Sequence, residues 1–392
     1  MDDGNFVMLA FLDLSAAFDT VDHSILLKRL SQSFGVRSSA LEWFRSYLTG
    51  RSQFVVYDKH PSSVRTVKFG VPQGSVLGPL LFILYTADLA SIIHKHGVNS
   101  HFYADDSQVY LSTKPANCSS ASDKLMACLD DVALWMASNR LKLNPSKTEV
   151  MWCATKRRLI QLTTPITTTP VSFCGTSITP VQSARNLGVL LSSDLSFKQH
   201  VNQTVSRCFY QLRTIKSCVT SLGLDAAKTI VNSFIVSRID YCNALLAGSP
   251  KSILNRLQYV LNSAARLLIG GHKYDHVSSA MRDQLHWLRI QQRIQYKLCL
   301  LVYKTVNKTS PQYLSDLCKP ISDIVGRRGL RSASESRLCV PRTRTHFGDR
   351  AFNIAGPAAW NNLPKHIRAA TSLASFKRLL KTHLFIISYD LS

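Results

Sequence analysis

Acidic residues are scarce in this sequence, and their scarcity sets the charge of the whole chain. Of 392 residues, 24 are Asp or Glu and 47 are Lys or Arg, which gives a formal net charge of +23. An excess of this size indicates a polyanionic partner rather than a merely soluble basic surface, and nucleic acid is the leading candidate.

Three further features are missing. The ten cysteines include no C-x-x-C pair and no Cys/His cluster at zinc spacing, which argues against a zinc site and predicts reduced thiols in an intracellular protein. Asp2 and Asp3 stand where a signal peptide would be basic. The longest apolar run, residues 76–84, is interrupted by Gly78 and Pro79, so it predicts a buried helix and no membrane partner.

The few acids that are present stand at informative places. Residues 6–12 form a continuous apolar run typical of a buried strand, and Asp13 follows at once. Asp105 and Asp106 lie between two apolar, β-prone runs, which predicts a β-hairpin with the acids at its turn. Taken alone, an Asp-rich turn is the simpler interpretation of this pair.

Residues 70–79 form a Gly- and Pro-bearing turn that opens a helix. Glycine lets the backbone approach a bound ligand because it carries no Cβ. Taken by itself, an ordinary tight turn is the better explanation.

The order of these pieces predicts the fold class. Strands and helices alternate around acidic strand ends, which indicates an α+β fold with an antiparallel sheet on which Asp13 and Asp105 converge. Shared carboxylates can hold two divalent ions about 3.5–4 Å apart, and such a pair stabilises the attacking and leaving oxygens of phosphoryl transfer. Mg²⁺ suits this arrangement, with Mn²⁺ as the alternative ion, because it keeps positions open for phosphate and water.

The chain resembles the reverse transcriptases of non-LTR (LINE-type, jockey-like) retrotransposons over roughly residues 5 to 195. Five stretches carry the resemblance, as polymerase motifs A to E: residues 11–19 (Phe-Leu-Asp-Leu-Ser-Ala-Ala-Phe-Asp), 70–79 (Gly-Val-Pro-Gln-Gly-Ser-Val-Leu-Gly-Pro), 102–106 (Phe-Tyr-Ala-Asp-Asp), 143–149 (Leu-Asn-Pro-Ser-Lys-Thr-Glu) and 186–188 (Asn-Leu-Gly). The resemblance implies a polymerase palm followed by a helical thumb.

The resemblance also implies roles for the metal ligands. Asp13 and Asp105 would be the principal ligands of two Mg²⁺ ions, Asp106 the supporting carboxylate, and the backbone carbonyl of Leu14 a further contact. Lys147 would be the general acid for departing pyrophosphate, although an exposed turn lysine explains it equally well.

Three residues would line the nucleotide pocket. Gln73 and Gly74 match the motif that contacts nucleotide and template, and Phe18 falls at the steric gate that leaves no room for a ribose 2′-hydroxyl. Phe18, together with Ala104 before the Asp pair, therefore disfavours an RNA-dependent RNA polymerase. Asp22 is interpreted as a helix N-cap and, like Asp19, not as a metal ligand.

The predicted domains are a partial palm at 1–195, a helical thumb at 196–271 and a basic C-terminal segment at 272–392. Between Arg327 and Arg350 stand seven arginines, which predicts a basic loop, either phosphate-binding or simply solvated. The expected partners are an RNA template, a DNA primer or target and dNTPs, with the protein in nucleus and cytoplasm as a ribonucleoprotein. The oligomeric state stays open.

Only about a dozen residues precede Asp13, where the family has its fingers. We therefore expect an N-terminally truncated element copy, or a gene model of one, that keeps the metal-binding motifs, lacks much of the nucleotide grip and has weak or no activity alone. The main hypothesis is an RNA-directed DNA polymerase domain. The alternative is a catalytically inactive remnant that still binds nucleic acid.

Overall fold

The structure is a computed structural model that describes residues 1–161, 167–324 and 336–391. It divides into two compact units. The first comprises residues 3–188 and 192–195 with Met1, and the second comprises the chain from Ser196 onward with residues 189–191 and Asp2.

Fourteen strands lie within the described residues. They are β1 (Phe6–Leu12), β2 (Leu14–Ser15), β3 (Ser52–Gln53), β4 (Val56–Tyr57), β5 (His60–Pro61), β6 (Arg65–Thr66), β7 (Asn99–Tyr103), β8 (Asp106–Thr113), β9 (Lys142–Leu143), β10 (Glu149–Cys153), β11 (Val171–Phe173), β12 (Thr176–Ile178), β13 (Ser183–Asn186) and β14 (Val189–Ser192).

The first unit is built on an antiparallel four-stranded sheet in the order β10-β1-β8-β7. The apolar run of β1 is central because β10 and β8 pair with its two edges. Its alternate residues, Phe6, Met8, Ala10 and Leu12, are buried in the core, as the period of two in a strand requires. The prediction of a buried strand that delivers Asp13 to its end is correct.

Helices cover this sheet and complete its core. They are α1 (His23–Gln32), α2 (Ser38–Leu48), α3 (Leu77–Tyr85), α4 (Leu89–Lys95), α5 (Cys118–Ser138) and α6 (Lys156–Gln161). One face of α5 is buried, since Leu125, Leu129, Val132 and Met136 all lie in the core. The coarse prediction of a mixed α and β fold with an antiparallel sheet is therefore confirmed.

The acidic hairpin forms as predicted, with Tyr103 opposite Asp106 and Ala104-Asp105 as its two-residue turn. Ala104 has φ +54°, a left-handed conformation that costs an L-residue about 1–2 kcal/mol. Glycine is the residue that adopts this conformation without a steric penalty.

We expect Ala104→Gly to raise the free energy of unfolding by about 0.5–1 kcal/mol, because relief of this strain exceeds the extra chain entropy of glycine. Urea denaturation measures it. Ala127→Gly, at an exposed position in the middle of α5, is the control and should destabilise by about 1 kcal/mol. Destabilisation by both variants would contradict the claim that the backbone at Ala104 is strained.

The stretch Leu77–Lys95 has the length and apolar composition of a membrane span, with a third of it buried. It is longer than the apolar run of residues 76–84 from which the sequence predicted a buried helix. The structure forms this stretch as two helices, α3 and α4, and places Leu81, Phe82 and Leu89 in the core. A core segment passes the same length and composition test, so the absence of a membrane partner stays a prediction.

The second unit is mainly helical where the structure describes it. Its helices are α7 (Lys198–Cys218), α8 (Leu224–Val231), α9 (Ser237–Asp240), α10 (Lys251–Ile269), α11 (Ser278–Asp283), α12 (Ile290–Val306), α13 (Gln312–Ser315), α14 (Phe352–Asn361), α15 (Lys365–Arg368) and α16 (Leu373–Tyr389). A π-helical turn, Asn232–Val236, lies between α8 and α9.

The core of this unit continues across residue 271, where the sequence predicted a boundary. Leu261 of α10 and Ile294 of α12 belong to one buried cluster, and Val302 of α12 belongs to the next. The assignment of these parts as thumb and basic segment stays a prediction. Of the seven arginines in the predicted basic loop, Arg327, Arg328 and Arg331 lie outside the described residues.

Candidate active site

Three carboxylates lie at one end of the central sheet. Leu12, the last residue of β1, pairs with Ser107 of β8, so the antiparallel register places Asp13 across from Asp106. Asp105 directly precedes β8 in the hairpin turn. The structure therefore brings Asp13, Asp105 and Asp106 to the same strand ends.

The carboxylates influence one another electrostatically. Partial desolvation raises the pKa of Asp106 above its usual range, and the nearby charges of Asp105 and Asp13 raise it further. Asp13 Oδ2 is buried and accepts no hydrogen bond. A buried carboxylate oxygen without a donor, beside two other acids, is a site that a cation stabilises.

The acids line an open edge. Across the described residues, no three His, Cys, Asp or Glu side chains form a cluster that could hold a metal ion by itself. Such an edge fits Mg²⁺, which takes one or two carboxylates and completes its octahedron with water and phosphate, better than a metal that needs a closed protein cage.

Lys147 is the cation nearest to Asp13. Its Nζ lies 3.6 Å from Asp13 Oδ2, and its side chain is 68% exposed. The turn that carries Lys147 is anchored on the same strand end, because the Asn144 amide donates to the Asp13 carbonyl at 2.9 Å. An ion pair this exposed contributes at most about 1 kcal/mol, so Lys147 is free to leave Asp13.

The Asn144 bond also fixes the direction of the Leu14 carbonyl. Leu14 pairs with Leu143 across β2 and β9, and a bond from Asn144 N to Asp13 O makes this pair the non-hydrogen-bonded kind. The carbonyl of Leu14 therefore points away from β9. It is not used in that strand pair, as a backbone metal contact requires.

The turn at residues 70–79, which carries Gln73 and Gly74, packs against the segment of the chain that follows Asp13. Gly70 N donates to Val21 O at 2.8 Å, and Val71 N donates to Phe18 O at 2.8 Å. Gly70 has φ +91°, and a Cβ there would lie 2.9 Å from the Asp19 Cα. The backbones approach this closely because residue 70 has no side chain.

Side chains reinforce this docking. Gln73 Nε2 donates to Asp19 Oδ1 at 2.9 Å, and the buried His23 Nε2 donates to the Gly70 carbonyl at 2.8 Å. Asp22 caps α1 as predicted, since its Oδ1 accepts from the amides of Ser24 and Ile25. The sequence analysis set Asp19 aside and missed its contact with Gln73.

The other two pocket residues differ in exposure. Phe18 is half-buried, and its ring centroid lies 4.9 Å from that of Phe82 in α3. Gly74 is exposed at φ +76°, with nothing within 4 Å of an added Cβ. Phe18 is thereby fixed from behind by the core, whereas Gly74 leaves open space in front of the turn.

The motif texts and this geometry agree with comparisons to known proteins. Residues 3–190 match the family described as Reverse transcriptase (RNA-dependent DNA polymerase). This part of the chain is a reverse transcriptase domain. The whole chain is 30% identical over 300 residues to a probable RNA-directed DNA polymerase from transposon BS of Drosophila melanogaster, and this match covers 74% of this chain and 32% of that protein.

A second relative supports the retrotransposon type. The RNA-directed DNA polymerase from mobile element jockey of Drosophila melanogaster is 26% identical over 291 residues, 72% of this chain and 30% of that protein. The prediction of a reverse transcriptase domain of the non-LTR retrotransposon type is confirmed. The chain spans about a third of the length of these relatives.

Among solved structures, a telomerase from Candida albicans is similar at 15% identity and a TM-score of 0.35, covering 79% of this chain and 50% of that one.

Proposed function

We propose that this chain is an RNA-directed DNA polymerase that adds dNTPs to a DNA 3′ end while it copies an RNA template. The observation that supports this most is the meeting of Asp13, Asp105 and Asp106 at adjacent strand ends, with Asp13 Oδ2 buried and without a donor. A carboxylate edge of this kind suits two-metal nucleotidyl transfer.

In this proposal Asp13 and Asp105 hold two Mg²⁺ ions, or Mn²⁺, with Asp106 as the supporting carboxylate and the Leu14 carbonyl as a further ligand. When bound, the ions would lower the pKa of the primer 3′-hydroxyl and stabilise the leaving oxygen. Lys147 moves from Asp13 toward the pyrophosphate and donates a proton to it.

Gln73, Gly74 and Phe18 form the nucleotide pocket in this proposal. Because Gln73 Nε2 donates to Asp19, its Oε1 remains directed to accept a hydrogen bond from the incoming nucleotide. Gly74 leaves space for the template or the nucleotide, and the Phe18 ring excludes a 2′-hydroxyl.

We infer that the first unit acts as the palm and that the helical unit contains the thumb and the basic segment. Their partners would be template RNA, primer or target DNA and dNTPs. The chain would then work in nucleus and cytoplasm as a ribonucleoprotein. The net charge of +23 supports a nucleic-acid partner.

Phe18→Val is expected to raise the incorporation of rNTPs relative to dNTPs by about 10- to 200-fold, because a smaller side chain admits the 2′-hydroxyl. Competitive single-nucleotide extension measures this ratio. Phe82→Leu, which alters the ring behind Phe18, is the control and should leave the ratio within a few-fold. An unchanged ratio of rNTP to dNTP incorporation in Phe18→Val would contradict the proposed steric exclusion of the 2′-hydroxyl by Phe18.

Primer extension on poly(rA)/oligo(dT) with Mg²⁺ tests the proposed activity, with Asp105→Ala as the matched inactive variant. We expect extension by the parent chain and none by Asp105→Ala. No extension by either protein, with RNA binding retained in a salt-dependent gel shift, would instead support a binding remnant.

A further inference from the structure

The second unit contains a cavity of about 460 Å³ that the proposed polymerase chemistry does not use. Its walls come from the loop before α12, the first two turns of α12, the π-helical turn, the end of α9 and α16. The residues that line it include Asp240, His286, Arg293, Tyr296, Lys297 and Lys381. Its volume lies in the range of pockets that enclose small ligands.

The loop before α12 is firmly held. Trp287 and Leu288 are buried, and the Tyr389 hydroxyl donates to the Trp287 carbonyl at 2.6 Å. His286, just before them, has φ +50°, a left-handed conformation uncommon for a residue other than glycine, and its side chain is exposed. The fold thus fixes a cavity wall and presents His286 on it.

The charges of the cavity are unbalanced. Arg293 and Asp240 form a largely buried ion pair at 2.7 Å, and Arg293 Nε also donates to the Leu288 carbonyl at 2.8 Å. This pair is neutral and structural. The two remaining charges are the exposed Lys297 and Lys381, and no second acid stands among the lining residues, all of which the structure describes. The cavity therefore favours an anion.

Aromatic surface accompanies the two lysines. Tyr296 is half-buried beside Lys297, and burial raises the pKa of its hydroxyl, so it stays neutral. Cations that meet the backbone, next to rings on which a base can stack, are the composition of single-stranded nucleic-acid sites.

We propose that this cavity binds one nucleotide of a single-stranded nucleic acid, with the phosphate at Lys297 and Lys381 and the base against Tyr296. This site lies in the helical unit and requires neither the carboxylates of the sheet nor a metal ion. It gives the segment around Trp287 a binding function separate from catalysis.

Fluorescence anisotropy with a short labelled oligo(rU), in the full chain and without dNTPs, tests this site. Lys297→Ala/Lys381→Ala should weaken binding about tenfold and reduce the slope of log K against log salt by about 0.7, the value for one lost phosphate contact on a single strand. Lys251→Ala/Lys365→Ala removes two exposed lysines of the same unit outside the cavity and is the control. It should leave the slope unchanged. Equal effects of the two double variants would overturn the proposal.

The aromatic contact has its own test. Tyr296→Leu should weaken oligo(rU) binding about tenfold, whereas Tyr296→Phe, which keeps the ring, should bind like the parent. Equal binding by both variants, with circular dichroism showing that both are folded, would show that no base stacks on Tyr296 and so overturn the proposal.

Competition with inorganic phosphate and with AMP identifies the source of the phosphate. A strand site predicts displacement of labelled oligo(rU) by unlabelled oligo(rU) at far lower concentration than by AMP or phosphate. Displacement by AMP at equal concentration would overturn the strand assignment. The binding assay is also carried out with Asp105→Ala, which should not extend a primer. Binding of oligo(rU) by this variant is measured without polymerase activity, so the proposed polymerase function and the proposed cavity site can fail independently.

Discussion

Asp13→Asn is expected to reduce primer extension by about a thousandfold, equivalent to about 4 kcal/mol of transition-state stabilisation, without destabilising the fold. Asparagine has nearly the same shape as aspartate, so the end of β1 and its bond from Asn144 remain. What the variant loses is the charge of a buried oxygen that accepts no hydrogen bond in the parent.

The effect of Asp13→Asn on stability should be neutral or favourable. Asp13 is one of the two carboxylates whose charges raise the pKa of Asp106, so its neutralisation removes repulsion. Only an exposed ion pair with Lys147 is lost, worth at most about 1 kcal/mol. We expect an unchanged or higher melting temperature in EDTA.

Asp123→Asn, an exposed acid on α5, is the control and should retain full activity and ordinary stability. Activity of Asp13→Asn within tenfold of the parent would contradict the assigned role of this carboxylate. A marked fall in melting temperature would instead show that the Asp13 charge stabilises the fold.

Gly70→Ala should lower the free energy of unfolding by about 2–4 kcal/mol and reduce polymerase activity with it. The left-handed φ of +91° costs about 1–2 kcal/mol for a residue with Cβ. The added methyl would also lie 2.9 Å from the Asp19 Cα, and backbone there cannot yield as a flexible side chain does. Urea denaturation measures the loss.

Gly74→Ala separates the conformational cost of the left-handed φ from the steric cost of the added methyl. Gly74 has φ +76°, but no atom lies within 4 Å of an added Cβ. Its cost should therefore be the conformational one alone, about 1–2 kcal/mol. Equal losses for the two variants would show that the approach of Gly70 to Asp19 adds nothing to stability.

The sequence predicted the parts of the site that depend on strand ends. A buried strand followed by Asp13 and a hairpin that carries Asp105 are local patterns, and antiparallel pairing then brings the acids together. The capping role of Asp22 is local as well, because its partners are the next residues along the chain.

The contacts that the sequence did not predict are long-range. Gln73 meets Asp19 across 54 positions of the chain, and no periodicity of either segment indicates which exposed acid an amide will select. The π-helical turn at Asn232–Val236, between α8 and α9, was not predicted either.

The most direct test of a metal site at Asp13, Asp105 and Asp106 is cleavage of the protein by bound Fe²⁺. Fe²⁺ replaces Mg²⁺ in the presence of primer, template and dTTP, and hydroxyl radicals generated with ascorbate and peroxide cut the backbone close to the ion. We predict fragments with new ends near Asp13 and near Asp105, suppressed by excess Mg²⁺ and absent in Asp13→Asn. Cleavage elsewhere in the chain, or the same fragments from Asp13→Asn, would contradict a metal site built on these strand ends.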